Sequence, residues 1–105
     1  MAFVRACAVG ELPPGAVLQV EVGGQRVALC NHGGALRALG GTCPHVGGPL
    51  GEGHLDESGA LRCPWHGWGF DPGSGKCLNI PRAAVPVYAV KVEGDDVLVE
   101  DTPQA

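Results

Sequence analysis

Cys43-Pro44-His45 and, seventeen residues later, Cys63-Pro64-Trp65-His66 are the two stretches from which the architecture of this chain can be inferred. Each pairs a thiol with an imidazole at the spacing of metal ligands. The sequence contains no Ser/His/Asp set, phosphate-binding loop or spaced carboxylate pair that would suit another chemistry. It therefore predicts one mixed-ligand metal site, formed by Cys43, His45, Cys63 and His66.

Length and composition limit the class of protein. A chain of 105 residues has the size of one domain, and we expect residues 1–105 to form one. The chain has 18 Gly and 9 Pro, yet 45% of its residues are hydrophobic, which favours short strands joined by tight turns. Its net charge of −4 disfavours nonspecific binding to nucleic acid or anionic membrane. The first residues resemble neither a membrane span nor a secretory signal, so we expect a cytoplasmic protein.

Short apolar and β-branched runs alternate with turn signals and predict an all-β fold. The predicted strands are residues 16–22, 25–30, 35–39, 85–92 and 97–100. Gly23-Gly24 has the composition of a two-residue hairpin turn, and no stretch of ten residues has helical periodicity. Residues 41–75 are rich in Gly, Pro and His and hold both ligand pairs, which predicts an inserted metal-binding subdomain.

The order of the ligands, Cys then His in each stretch, bears on the choice of metal. Structural zinc sites usually draw a pair of like ligands from each loop, although these four side chains are also able to hold zinc tetrahedrally. A [2Fe-2S] cluster with two cysteines on one iron and two histidines on the other suits two equivalent loops. Each loop would send its thiol to the inner iron and its imidazole to the outer one. The ligands alone leave both sites open.

The pattern CxH, seventeen residues, CxxH resembles the Rieske proteins. The resemblance extends to Gly51-Glu52-Gly53, Gly67, Phe70-Asp71 and Gly75-Lys76, and with the flanking hairpins it covers nearly the whole chain. It implies the Rieske fold, in which antiparallel sheets form a small β-sandwich with an inserted cluster-binding subdomain of two loops, here at about 41–75. It also implies one Rieske-type [2Fe-2S] cluster. The implied ligands are Cys43, His45, Cys63 and His66.

Glycines near the ligands suggest how the loops would meet the cluster. Bridging sulfides carry negative charge, and glycine lets a main-chain N–H approach them without obstruction from a Cβ. We expect amide donors at these positions, with tight turns as the alternative role. The candidates are Gly47, Gly48, Gly67 and Gly69.

The chain departs from the high-potential Rieske proteins of respiratory cytochrome bc complexes. That branch has a disulfide between the two ligand loops, at the positions held here by Gly48 and Trp65. It also has Ser and Tyr at the positions of Trp68 and Phe70, and their hydroxyls donate to sulfur. Because such donors stabilise the reduced cluster, their loss predicts a potential near the bottom of the range of roughly −150 to +300 mV.

The resemblance also implies a function. Low-potential Rieske domains occur as ferredoxins, as small subunits of nitrite reductases and as domains of ring-hydroxylating oxygenases, whose version CPWHGWGFD resembles closely. The short stretch after the second loop leaves no room for an oxygenase's catalytic iron domain. We therefore expect a soluble one-electron carrier, not itself an enzyme, between a reductase and a terminal oxygenase or similar acceptor. The alternatives are a nitrite reductase small subunit and, from another class, a zinc-binding interaction module or redox sensor.

The remaining cysteines and histidines are not expected to take part in this chemistry. Cys7, Cys30 and Cys77 have no paired spacing and are predicted to be buried, inert thiols. His32 and His54 lie in turn-rich stretches and are predicted to be exposed to solvent.

Overall fold

The computed structural model describes residues 2–44, 47–65, 67–80 and 82–104. Within these ranges ten strands form three antiparallel sheets, and the helical segments are two 3₁₀ turns, Val9–Glu11 and Leu50–Glu52. The prediction of an all-β fold is confirmed. The strands are β1 (Phe3–Ala8), β2 (Val17–Val22), β3 (Gln25–His32), β4 (Ala35–Gly40), β5 (His54–Leu55), β6 (Leu61–Arg62), β7 (Gly69–Phe70), β8 (Val87–Tyr88), β9 (Val90–Glu93) and β10 (Asp96–Glu100).

The central sheet has the strand order β2-β3-β4-β8 and carries the rest of the molecule on its two faces. β3 is buried without interruption from Val27 to Asn31, because both of its faces are covered. Its residues Ala28 and Cys30 belong to the hydrophobic core shared with β6 and β7. Val27 and Leu29 belong to a second core, shared with β1 and β10. An unbroken apolar run is what a strand covered on both faces requires.

The terminal sheet has the order β1-β10-β9 and shows where the sequence prediction was incomplete. β1 was not predicted, although its Cys7 lies in the second core. The predicted strand 85–92 is divided at Ala89 into β8 and β9. The division has a topological cause, since β8 pairs with β4 of the central sheet and β9 pairs with β10 of the terminal sheet.

The third sheet, β5-β6-β7, follows β4 and precedes β8 along the chain. Its residues Leu61 and Phe70 are fully buried in the core shared with the central sheet. The three strands fall inside residues 41–75, where the metal-binding subdomain is predicted, and the bounds of that subdomain stay a prediction. Over the described ranges, no helix has the length and hydropathy needed to cross a membrane.

Candidate metal centre

The first ligand stretch, called the first loop (residues 43–48, of which 43, 44, 47 and 48 are described), closes as a hairpin. Thr42 and Pro49 form an antiparallel bridge at its base. Inside the loop the Cys43 N–H donates to the Gly48 carbonyl at 2.8 Å, and the Gly47 N–H donates to the Cys43 carbonyl, also at 2.8 Å. These two backbone bonds fix the position of Cys43 relative to the sheet.

The second ligand stretch, called the second loop (residues 63–68, of which 63–65, 67 and 68 are described), closes with the same backbone bonds. Its base is the pairing of Arg62 with Gly69 between β6 and β7. The Cys63 N–H donates to the Trp68 carbonyl at 2.8 Å, and the Gly67 N–H donates to the Cys63 carbonyl at 3.2 Å. Cys43 and Cys63 therefore occupy the same position in two loops that are closed by the same pair of backbone hydrogen bonds, even though one stretch reads CxH and the other CxxH. We call this pair of bonds the frame.

A third turn, residues 71–76, repeats this frame without a thiol. Phe70 and Cys77 form the bridge at its base. The Asp71 N–H donates to the Lys76 carbonyl at 2.9 Å, and the Gly75 N–H donates to the Asp71 carbonyl at 2.7 Å. The frame is thus a loop geometry that this chain uses repeatedly. The frame fixes the position of the first residue of the loop, and the type of that residue decides whether it can bind a metal.

The two predicted cysteine ligands are buried in one core. Cys43 is 1% exposed and Cys63 is 2% exposed, and both pack in the cluster that contains Phe70. All five cysteines lie in the described ranges, and none forms a disulfide. The predicted ligands His45 and His66 lie outside the described residues. The structure therefore places the two sulfur donors in a dry environment suited to thiolate ligation of iron.

Three of the four loop glycines that are candidate donors to sulfide have N–H groups bonded to protein acceptors. The amides of Gly47 and Gly67 close their own loops, as described above, and the Gly69 N–H donates to the Asn79 side-chain oxygen at 2.7 Å. Gly47 and Gly67 have φ of 78° and 72°, a conformation that other residues rarely adopt. The turn role, which was the alternative, accounts for Gly47 and Gly67.

Gly48 and the two tryptophans separate into different roles. A Cβ on Gly48 would lie 2.7 Å from the Cys63 sulfur and 3.3 Å from the Trp65 Cβ, so the two loops meet here. Trp65 is 50% exposed, whereas Trp68 is partly buried against the core. Trp65 is thus at the surface beside the first loop, and Trp68 packs inside.

The remaining histidines and cysteines lie where they were predicted. His32 and His54 are exposed. Cys7, Cys30 and Cys77 are buried. Desolvation by burial raises the pKa of the Cys7 thiol, and it raises the pKa of Cys30 to about 11. Since the thiolate is the reactive form, Cys7 and Cys30 are inert at neutral pH.

The sequence analysis missed the side chains that hold the second loop from outside. The Arg62 guanidinium bonds both Asp56 and the Gly67 carbonyl, and Asn79 accepts the Gly69 N–H. A local signal existed for one of them, because Asp56-Glu57-Ser58-Gly59 has the composition of a turn stabilised by an aspartate side chain. No signal in the sequence links Arg62 or Asn79 to the loop, since these contacts depend on strand register.

The geometry agrees with comparisons to known proteins. The sequence profile described as "Rieske [2Fe-2S] domain" matches residues 2–98. The chain therefore belongs to the Rieske [2Fe-2S] domain family, and this membership supports a [2Fe-2S] cluster as its cofactor.

Among individual relatives, the ferredoxin component of biphenyl 2,3-dioxygenase from Rhodococcus jostii (strain RHA1) is 39% identical over 102 residues, covering 95% of this chain and 94% of that protein. The solved ferredoxin of carbazole 1,9a-dioxygenase from Nocardioides aromaticivorans IC177 has a TM-score of 0.88 and 29% identity, covering 97% of this chain and 100% of its own. A structure described as the small subunit of an NADH-dependent nitrite reductase from Mycobacterium tuberculosis has a TM-score of 0.84 and 30% identity, covering 93% of each chain.

Proposed function

We propose that this protein carries one electron at a time on a [2Fe-2S] cluster held by two cysteines and two histidines. The observation that carries the proposal is the pair of equivalent loops, which place Cys43 and Cys63 at matching positions in one buried core. The proposed ligands are Cys43, His45, Cys63 and His66. When bound, the cluster takes up one electron from a donor and releases it to an acceptor. The chain holds the sulfur ligands rigidly and keeps water from them.

The cluster is the first thing to test. The purified protein is expected to be red-brown, to contain two iron and two sulfide per chain and, once reduced by one electron, to give an EPR signal whose average g value lies below that of the free electron. His45→Cys and His66→Cys should each shift this signal toward that of an all-cysteine cluster. His54→Cys is the matched control, because His54 is exposed and lies outside the loops. An unchanged signal in both loop variants would reject the ligand assignment, and a colourless zinc protein would reject the cluster.

We further propose that the cluster has a low potential. Phe70 is fully buried in the same core as both cysteines and has no hydroxyl to donate to sulfur. Trp68 packs against that core and likewise has no hydroxyl. Fewer donors to sulfur disfavour the reduced, more negative state. Protein-film voltammetry should give a potential below roughly +100 mV at neutral pH, and Phe70→Tyr should raise it.

For the partners, we propose a reductase as donor and a terminal oxygenase as acceptor. The support is the relative named as a ferredoxin component, 94% of whose length this chain covers, together with exposed apolar side chains in and after the second loop. We call the three exposed apolar side chains between residues 65 and 80 the apolar rim; they are Trp65, Leu78 and Ile80, which are 50%, 57% and 39% exposed. A contiguous exposed apolar patch typically marks a protein contact, and we propose that these side chains form one. The cytoplasm is the proposed compartment, because none of the five cysteines, all within the described ranges, is in a disulfide.

A second candidate, the small subunit of a nitrite reductase, is favoured by the TM-score of 0.84 to a protein so described. The two functions differ in how the protein associates. A shuttle should purify as a small protein that reduces its acceptor in a second-order reaction. A fixed subunit should purify with a large partner, and native mass measurement of the protein from its own cells separates the two.

A further inference from the structure

Arg62 links the second ligand loop to a carboxylate outside it. It lies in β6 immediately before Cys63. Its Nε donates to Asp56 Oδ2 at 2.8 Å, and its Nη1 donates to the Gly67 carbonyl at 3.2 Å. The guanidinium is packed so closely over β7 that a Cβ on Gly69 would lie 2.6 Å from Nη1. The side chain therefore connects the strand that precedes the loop to the Gly67 carbonyl within it.

Asp56 is a rigid anchor for this guanidinium. Its Oδ1 accepts three hydrogen bonds, from the Ser58 N–H at 2.9 Å, the Ser58 hydroxyl at 2.6 Å and the Ala60 N–H at 3.0 Å. The Ser58 hydroxyl and then Arg62 hold the pKa of Asp56 well below its usual range. The carboxylate stays ionised at every pH at which the protein would be handled. The pair therefore has a fixed geometry and a fixed charge.

The backbone frame of the second loop does not require a guanidinium. The first loop, residues 43–48, and the third turn, residues 71–76, close with the same two backbone hydrogen bonds. Among the described residues, no Lys or Arg side chain donates to either of them. Arg62 is thus an addition to a loop that already closes by itself, and it brings a positive charge to the peptide that follows His66.

We propose that the Asp56–Arg62 pair positions the second ligand loop and that the charge of Arg62 raises the reduction potential of the cluster. The inference rests on the proposed function, because it requires this loop to hold the cluster. Arg62 is a positioning residue and takes no part in electron transfer itself.

The sign of the effect follows from charge. Reduction adds one negative charge to the cluster, and a nearby cation favours that state. Replacing Arg62 by neutral glutamine should lower the potential. Replacing Asp56 by asparagine should raise it, because the guanidinium is then no longer neutralised by its partner. A device that acts only by supporting the loop would not give shifts of opposite sign.

The test is a redox titration of the purified protein with its cluster, monitored by visible absorbance and by EPR. At the wild-type midpoint potential, Arg62→Gln should show at least a twofold lower ratio of reduced to oxidised protein than the wild type, about 18 mV for a one-electron couple. Asp56→Asn should show a higher ratio than the wild type. Arg62→Lys keeps the charge but loses the planar fork, so its potential should lie between those of Arg62→Gln and the wild type, with broadened EPR lines.

Arg5→Gln is the matched control. Arg5 forms the same kind of pair, with Asp96 at 2.8 Å, in the terminal sheet. It should leave the potential unchanged. Equal shifts in Arg5→Gln and Arg62→Gln, or shifts of the same sign in Arg62→Gln and Asp56→Asn, would overturn the inference. If Arg62→Gln does not fold, Asp56→Asn decides alone: a rise supports the inference, and no change or a fall overturns it. A wild-type protein without a Rieske EPR signal would instead overturn the proposed function.

Discussion

Gly53 lies close to the Arg62 carbonyl of β6, and Gly53→Ala tests that packing. The glycine follows the 3₁₀ turn Leu50–Glu52 and precedes β5. A Cβ at this position would lie 1.9 Å from the Arg62 carbonyl oxygen and 3.2 Å from the Leu50 carbonyl oxygen. Because Arg62 precedes Cys63, strain at Gly53 passes directly to the second ligand loop. We expect the alanine variant to be less stable and to lose its cluster more readily.

The size of the effect can be worked from the geometry. Real Cβ contacts are essentially never shorter than 3.0 Å, so the alanine methyl must retreat by 1.1 Å (3.0 minus 1.9). Its retreat is opposed by backbone on two sides, which places the cost near the upper end of the overpacking range, about 3 kcal/mol. The Gly53 φ of −83° is open to alanine, so reduced freedom of the unfolded chain offsets up to about 1 kcal/mol. The net loss of about 2 kcal/mol corresponds to a Tm lower by about 8–16 °C.

The assay is thermal unfolding of the cluster-containing protein, followed by circular dichroism and visible absorbance at one scan rate, since loss of the cluster makes unfolding irreversible. Gly10→Ala is the matched control, because no atom lies within 4 Å of its Cβ position. Its Tm should be unchanged or slightly higher than that of the wild type. If Gly53→Ala melts within about 2 °C of Gly10→Ala, the close approach of Gly53 to the Arg62 carbonyl does not constrain the fold and the reasoning fails.

Three further predictions concern the site and its surroundings. Since the Cβ positions at residues 48 and 65 are 3.3 Å apart, Gly48→Cys combined with Trp65→Cys should form a disulfide on oxidation; titration of two additional thiols would refute this. Because burial raises the pKa of Cys30 to about 11, this thiol contributes its full stability below about pH 9 and progressively less as the pH rises to about 11. The unfolding free energies of the wild type and Cys30→Val should therefore diverge over that pH window by up to about 2–3 kcal/mol. Parallel curves of unfolding free energy against pH would contradict this. Leu78→Gln in the apolar rim should slow electron transfer to the oxygenase of a biphenyl 2,3-dioxygenase, measured by stopped-flow mixing. Val92→Gln is the control and should not slow it, because Val92 is 50% exposed but lies in the terminal sheet. Equal rates for the two variants would refute the rim as the contact.

The sequence was most informative where local chemistry determines structure. The hairpin at Gly23-Gly24 was predictable because its turn needs positive φ at both residues, and β2 and β3 flank it as expected. β1 was missed because only its Cys7 is fully buried, so it lacks a clear apolar alternation. The division of residues 85–92 at Ala89 was missed because it depends on which sheet each half joins. Pairing between distant strands leaves no local signal.

The candidate site shows the same limit in finer detail. The ligand types could be inferred from spacing, but the sequence does not reveal that CxH and CxxH form loops of equal length, because that equality comes from the bridges Thr42–Pro49 and Arg62–Gly69. The same pairing explains why the amides of Gly47 and Gly67 are bonded to protein acceptors. An N–H that closes a hairpin on a cysteine carbonyl is engaged with protein, and only the register of the hairpin shows it.

Equal frames with unequal surroundings give the two loops different tasks. Both loops hold a buried cysteine with the same pair of backbone hydrogen bonds, so these bonds do not distinguish the effect of one loop on the reduction potential from that of the other. Only the second loop, within the described residues, has a guanidinium bonded to its carbonyl, and it also bears the half-exposed Trp65. The loop that meets a partner would then also be the loop whose charge sets the potential. A change at Arg62 should accordingly alter both the driving force and the rate of electron transfer, whereas a change in the apolar rim should alter the rate alone.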